Sequence, residues 1–375
     1  MNDEYSFSKK DTSVIKGIAI ILLLLHHMFS ADLLATHLLS WYPFHEAFGE
    51  MWLRFCAMGK ICVSLFAFLS GYGIYISYTH SIIKKNRDVR QWYIERFFAL
   101  FNRYWLIYFF VFISGCILNK FLSLNNPVVT SWFFMNGYTA SIIYVLLDMF
   151  GMSVFFGTPC LIGPSWYMGA AAFFVLFLPV LLFIANKFGD ITTLVLIIIL
   201  PRVLGISFTG TNTALPFLFI FFLGVLCAKY NWLRKNLFSI NRVIYFVISC
   251  ILFCAFTYLY NVLDYKILSF FHWGIYPFYC ILWINEFFID IPPVRFVFAF
   301  LGKHSRNIFL VHIILLLNYE TYMIYCFQNF FLCMGVFLIS SIVFSVLIDK
   351  IANLLHWDEV ILMIKNDLLK RCDLL

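Results

Sequence analysis

The chain has 375 residues, of which 63% are hydrophobic, 21% aromatic and only 12% charged. Soluble domains carry about 25% charged residues, so the composition excludes an ordinary soluble domain and predicts an all-α integral membrane protein. The net charge of +7 is typical of cytoplasmic Lys and Arg in such a protein, and no basic, aromatic-rich patch indicates nucleic acid. The eleven Cys residues are scattered without a C-x-x-C pair, which argues against a disulfide framework or a metal site.

The first apolar segment begins at Lys16, reaches His27 and continues through Leu34. In a helix, eleven steps bring His27 to within about 20° of Lys16, roughly 16 Å further along the axis. His26 then points about 100° away from His27. A secretory signal peptide is the competing interpretation. Because no clear cleavage site follows, we interpret the segment as a retained first helix.

Further apolar segments predict about ten membrane spans in one bundle. The stretch 142–156 is short for a crossing, so we interpret it as re-entrant or peripheral. The C-terminal tail, 351–375, follows a membrane domain of residues 1–350 and is expected to be an amphipathic helix or partly disordered. After the first span, the predicted spans lie at about 53–78, 104–118, 166–184, 191–208, 215–230, 243–260, 268–289, 301–319 and 330–348.

Basic residues concentrate in the predicted loops 79–103, 229–242, 290–303 and 350–375. With about ten crossings these loops share one side, and the positive-inside rule places that side, with both termini, in the cytoplasm. Lys16 then lies near the cytoplasmic end of the first helix and His27 near the membrane midplane.

Lys16 and His27 have both a functional and a structural interpretation. A neutral imidazole is a suitable general base for a hydroxyl, and a cytoplasmic cation can hold an anionic substrate group. Alternatively, Lys16 is a membrane-surface anchor and His27 hydrogen-bonds a neighbouring helix. An ionisable side chain deep in the membrane favours function for His27.

The order of several motifs resembles the acyltransferase-3 family of membrane O-acyltransferases. That family opens on an Arg, ten residues and a His, and here Lys16 replaces the Arg at the same distance from His27. Where the family often has a second closely spaced Arg after Arg96, this chain has Ala99. The other matching motifs are Phe68-Leu69-Ser70-Gly71-Tyr72, Ser165-Trp166-Tyr167, Phe222-Leu223-Gly224, Leu301-Gly302-Lys303-His304-Ser305 and Leu310-Val311-His312.

The resemblance implies transfer of an acyl group, usually acetyl, from cytoplasmic acyl-CoA to a hydroxyl of a surface polysaccharide or its lipid-linked precursor, in a bacterial plasma membrane. Acetyl-CoA is then the donor substrate. His27 is the expected base, and Lys16, Arg96 and Arg103 are the expected contacts of the CoA phosphates. Expected site-lining residues are Ser70, Trp166, Tyr167 and His312.

Each lining residue also has a structural interpretation. Ser70 and its neighbouring glycines favour close helix packing, Trp166 and Tyr167 are typical of the membrane interface, and His312 is suited to a helix–helix contact. His272 and Trp273, at the outer end of their span, are further candidates for touching the acceptor.

Two other functions remain open at the level of sequence: a transporter or flippase of lipid-linked saccharides, and a polysaccharide polymerase. The first usually shows internal symmetry, and none is visible here. The second typically uses a large outer loop rich in Arg or His, and residues 119–164 contain neither. The sequence leaves open the acceptor, the length of the acyl group, direct transfer against an acyl-enzyme, and the oligomeric state.

Overall fold

The computed structural model describes residues 7–29, 54–122, 138–205, 213–233, 241–263, 268–316, 324–327 and 329–373. The chain is all-helical, with 87% helix and no strand among the described residues, which confirms the predicted fold class. The helices are α1 (Lys9–Met28), α2 (Arg54–Lys84), α3 (Val89–Leu122), α4 (Tyr138–Met149), α5 (Ser153–Phe156), α6 (Ser165–Phe188), α7 (Asp190–Val203), α8 (Leu218–Tyr230), α9 (Arg242–Val262), α10 (Tyr276–Trp283), α11 (Pro292–Ile314), α12 (Phe330–Leu354) and α13 (Trp357–Asp373).

Six of the described helices are long and apolar enough to cross a membrane: α1, α2, α3 to Ser114, α6, α9 and α12. The protein is therefore a multi-pass membrane protein. Other predicted spans correspond to the shorter helices α7 and α8, to α10 with a π-helical turn at each end, and to the charged helix α11. The count of about ten spans and the cytoplasmic termini stay predictions.

Most of the residues predicted as a basic loop between the second and third spans, 79–103, are helical instead. A π-helical turn at Thr79–Lys84 ends α2, and α3 begins at Val89, well before the predicted start at 104. The carboxylate of Asp88 accepts a hydrogen bond from the amide of Arg90 (2.9 Å) and so caps the first turn. With no Gly or Pro before Gly115, nothing interrupts this helix.

Two further stretches among the predicted basic loops are helical. The predicted loop 290–303 is helical from Pro292, because a proline is well tolerated in the first turn of a helix. The C-terminal tail forms α13, so the amphipathic-helix alternative is correct for the described part of it. The stretch 142–156 falls into α4 and α5, of 12 and 4 residues, in agreement with its predicted shortness.

The described residues divide into two compact units. The first unit takes residues up to Ser77, Phe177–Thr211 and Leu215–Ser305. It contains α1, most of α2, the end of α6, α7 to α10 and most of α11. Its core is formed by α1 and α8, whose apolar side chains are largely buried. Helix α9 differs, because most of its apolar side chains are exposed and are suited to lipid contact.

The second unit takes Tyr78–Leu176, Asn212–Ala214 and Arg306–Leu375. Its centre is α3, whose rings of Trp92, Phe101, Tyr104 and Tyr108 are fully buried. Helix α13 packs along α3, and Trp357 donates its indole N–H to the backbone carbonyl of Asn102 (3.0 Å). The C-terminal tail is therefore folded onto this unit.

Candidate active site

Helix α1 carries Lys16 and His27 on one unbroken α-helix. This confirms the helical geometry on which the spacing argument rests, so the two side chains share a face, roughly 16 Å apart along the axis. Both side chains are half-buried. Met28 is the last helical residue, and residues 30–34, predicted to continue the span, lie outside the described part of the chain.

The first turn of α1 is held by a cap and an ion pair. Ser8 accepts a hydrogen bond from the amide of Asp11 (3.2 Å), while the Asp11 carboxylate accepts one from the amide of Ser8 (2.8 Å). These two bonds form a capping box. The guanidinium of Arg295, on α11, also donates to Asp11 (2.8 Å). The start of α1 is thus attached to α11 close to Lys16.

Glycines bring the backbones of α1 and α11 into contact over the same stretch. A Cβ atom on Gly17 would overlap the carbonyl of Phe298, and one on Gly302 would overlap the carbonyl of Ser13. The family-like motif around Gly302 therefore has a structural role. It fixes the helix that carries Lys16.

The other end of α1 packs against the start of α2. A Cβ atom on Gly59 would come within 2.5 Å of the carbonyl oxygen of Leu22 and 3.2 Å of the Cβ of His26. The rings of His26 and His27 are 5.1 Å apart in an edge-on arrangement. His26 therefore packs against α2, next to His27.

A cation that the sequence analysis passed over lies at this end of α1. Lys60 is half-buried, lies near enough to His26 for their charges to interact, and has its ammonium 5.8 Å from the ring centre of Trp273. A lysine inside an otherwise apolar span is itself a signal of function. Lys60 lies in the second turn of α2.

Ser70 lies in a motif whose glycine makes a tight helix crossing. A Cβ atom on Gly71 would overlap the carbonyl of Phe221, and one on Gly224 would overlap the carbonyl of Phe68. Two family-like motifs, on α2 and α8, thus hold each other, as the small-residue interpretation predicted. Ser70 is half-buried, and its place in the site stays a prediction.

In the second unit, Tyr167 and His312 contact the same aromatic ring. The ring centre of Phe309 lies 5.2 Å from that of Tyr167 and 6.0 Å from that of His312. Nδ1 of the buried His312 lies 2.7 Å from the carbonyl oxygen of Phe309. Since a carbonyl can only accept, Nδ1 carries the proton and Nε2 is the basic nitrogen. Trp166 is half-buried and packs edge-on against Tyr167.

A buried polar cluster positions the helix that begins with this aromatic motif. The Asp148 carboxylate accepts a hydrogen bond from the amide of Leu161 (2.7 Å). The Ser165 hydroxyl lies 2.8 Å from Sγ of Cys160 and 3.3 Å from the hydroxyl of Ser153. The carbonyl of Asp148 also accepts from the Tyr104 hydroxyl of α3 (2.6 Å). These bonds attach the chain before α6 to α3.

Arg96 and Arg103, the predicted phosphate contacts, differ in their surroundings. Arg96 is half-buried on α3. The two terminal nitrogens of Arg103 donate to the two carboxylate oxygens of Asp358 on α13 (2.9 and 2.8 Å). Asn102 also donates to Asp358 (2.8 Å). Although partial burial acts in the opposite direction, these hydrogen bonds hold the pKa of Asp358 below its ordinary value.

The predicted residues are therefore divided between the two units. Lys16, His27 and Ser70 belong to the first unit, and Arg96, Arg103, Trp166, Tyr167 and His312 to the second. In the described part of the chain, no three His, Cys, Asp or Glu side chains form a group able to hold a metal ion.

Comparison with known proteins agrees with this arrangement of motifs. A family described as an acyltransferase domain matches residues 11–350 of the 375-residue chain. The chain belongs to the acyltransferase-3 family, whose members are membrane acyltransferases. Neither a curated protein nor a solved structure matches the chain. The match ends within α12, so α13 lies outside it.

Proposed function

We propose that this protein is an O-acyltransferase that uses acetyl-CoA from the cytoplasm and acetylates a hydroxyl of a cell-surface polysaccharide or of its lipid-linked precursor. The membrane is the plasma membrane of a bacterium. The family membership supports the general activity. The donor, the acceptor and the residue roles below are the proposal.

One observation carries it: Lys16 and His27 lie on one unbroken helix that is packed tightly at both ends. Gly17 and Gly302 hold the Lys16 end against α11, and Gly59 holds the His27 end against α2. Such packing keeps a cation and an imidazole at a constant separation of roughly 16 Å. A long donor with phosphates at one end and a thioester at the other matches this arrangement.

His27 is the proposed general base. The acceptor hydroxyl oxygen attacks the thioester carbonyl carbon while an imidazole nitrogen takes the hydroxyl proton. The tetrahedral intermediate then expels the CoA sulfur, the C–S bond breaks, and the thiolate receives a proton. The products are an ester and free CoA, so no oxidant, reductant or metal enters the balance.

Lys16, Arg96 and Arg103 are the proposed contacts of the CoA phosphates. Lys16 supplies a point charge in place of the two-pronged guanidinium of the family pattern. Arg103 has to exchange its contact with Asp358 for a phosphate, and a guanidinium binds either anion through two parallel N–H···O bonds. Ser70, Trp166, Tyr167 and His312 are proposed to line the site.

The test is the acetate content of surface glycans in cells that carry the wild type or His27→Asn. We expect the variant to lose at least about 100-fold in acetylation, the usual contribution of a general base. His356→Asn is the matched control, since His356 is exposed on the turn before α13, outside the family match. With equal protein in the membrane, unchanged acetylation in His27→Asn would overturn the assignment.

A further inference from the structure

The indole of Trp273 has a hydrogen-bond donor without an acceptor. The side chain is only 4% exposed, and its Nε1 is buried with no hydrogen-bond partner. Leaving a buried donor unpaired costs roughly 1–3 kcal/mol, so such groups call for an explanation. A ligand oxygen that binds during the reaction cycle would supply the acceptor.

A cation lies beside this donor. The Lys60 ammonium is 5.8 Å from the centre of the Trp273 ring, and the edge of the ring packs against Phe217 at 5.8 Å between ring centres. Both the ammonium and the indole N–H can only donate. Together they favour a ligand with negatively charged oxygen atoms, which accept from both.

The pair lies at the His27 end of α1. Gly59, the residue before Lys60, packs on Leu22 and His26, whereas Lys16 lies at the opposite end of the helix, beside the contact with α11. Leu22 and His26 are six and ten residues from Lys16, so a ligand at Lys60 is separated from the proposed donor cation by roughly 9–15 Å along the helix axis. That separation favours the acceptor, not the CoA phosphates, as the source of the anion.

We propose that Lys60 and Trp273 form a binding site for an anionic oxygen group of the acceptor, either a phosphate or a carboxylate attached to the sugar. The site rests on the proposed function for its substrate. The ammonium attracts the anion to the end of α1, and the indole N–H completes its hydrogen bonds. The lysine stem has four rotatable bonds, so the ammonium can turn from the ring towards the anion.

Nuclear magnetic resonance of the full-length protein tests the site without relying on activity. The indole N–H groups of tryptophan are labelled with ¹⁵N, and Trp273→Phe identifies the signal of Trp273. Glucose 1-phosphate and glucuronate serve as phosphate and carboxylate probes, and glucose is the uncharged control. We expect one or both anions, and not glucose, to shift the Trp273 signal.

Three lysine variants make the test specific. Lys60→Met is expected to abolish the shift, and Lys60→Arg to retain it. The matched control Lys229→Met, which removes a lysine paired with Asp190 on another helix of the same unit, is expected to leave it unchanged. A shift of equal size in Lys60→Met would overturn the proposal.

The same variants separate this proposal from the proposed function. In membranes that hold the natural acceptor, Lys60→Met is expected to lower acetyl transfer at least about 10-fold, while its affinity for acetyl-CoA stays within about 2-fold of wild type. An unmoved Trp273 signal in a protein that transfers acetyl groups refutes the anion site alone. If the Trp273 signal shifts in a protein that transfers no acetyl groups, the result supports the anion site and refutes the proposed function.

Discussion

Replacing Gly71 by Ala tests whether the motif on α2 acts through helix packing. The new methyl group would overlap the carbonyl of Phe221. The atoms in its way are main-chain atoms of α8, which no side-chain rotation can move. The crossing of α2 and α8 must therefore open, and Gly224, which contacts Phe68 from the other helix, must shift with it.

The size of the effect follows from comparison with Gly73 on the same helix. A Cβ on Gly73 meets nothing within 4 Å, so Gly73→Ala gains helix propensity of up to about 1 kcal/mol without a clash. Gly71→Ala gains the same propensity but adds overpacking, which typically costs about 1–3 kcal/mol and more when the backbone must move. We expect a net loss of about 1–2 kcal/mol for Gly71→Ala and no loss for Gly73→Ala.

The assay is thermal unfolding of the purified protein in one detergent. The measured quantity is the fraction of protein that stays monodisperse after heating. Gly71→Ala should lower the midpoint temperature, and Gly73→Ala should leave it unchanged or raise it. Equal midpoints for the two variants would refute the packing argument. If Gly71→Ala has normal stability but no activity, the motif takes part in the reaction and not in helix packing.

Three other changes test separate parts of the account. Lys16→Ala should weaken acetyl-CoA binding about 10-fold or more while Lys16→Arg retains it, and equal affinities measured by calorimetry would remove Lys16 from the donor site. Asp358→Asn should speed proteolysis within α13, unlike the control Asp367→Asn, whose carboxylate pairs with Arg371 of α13 itself. Because the pKa of Asp358 is lowered, its stabilising contribution is present at neutral pH. The contribution is lost as the pH falls below about 3.9 and through the lowered pKa. If proteolysis within α13 is the same in Asp358→Asn and at low pH as in the wild type at neutral pH, the ion pair does not hold α13 on α3. Asp148→Ala should destabilise the protein by about 2 kcal/mol, since the buried amide of Leu161 loses its acceptor, and Asp148→Asn, which keeps an acceptor oxygen, should cost less in the same thermal assay.

The parts of the fold that could be predicted are those that local pattern determines. The apolar run between Lys16 and His27 predicts a helix, and the structure has one. The small residues around Gly71 predict a helix crossing, and one occurs. In each case a short segment contains all the information, because helix formation and small-residue packing depend on a few turns.

The early start of α3 was missed for a physical reason. Charged residues such as Arg96 and Arg103 suggested a loop, but charge sets membrane depth and does not by itself end a helix. Uninterrupted propensity and the cap at Asp88 decide the start. The absence of Gly and Pro from this stretch was the available signal.

The missed parts of the site depend on residues far apart in the sequence. Arg103 contacts Asp358, 255 positions away in the sequence, and Lys60 lies beside Trp273, 213 positions away. No local pattern contains such pairs. The unpaired indole N–H of Trp273 is also invisible to sequence, since it depends on every group that packs around the ring.

The most direct measurement of the central claim uses membrane vesicles of known orientation and acetyl-CoA with a labelled acetyl group. We predict that inside-out vesicles, whose cytoplasmic face is exposed, incorporate label into glycan or lipid-linked saccharide, and that right-side-out vesicles do not. His27→Asn should reduce the incorporation at least about 100-fold, and His356→Asn should leave it intact. Equal labelling by wild type and His27→Asn would contradict the assignment of His27 as the base.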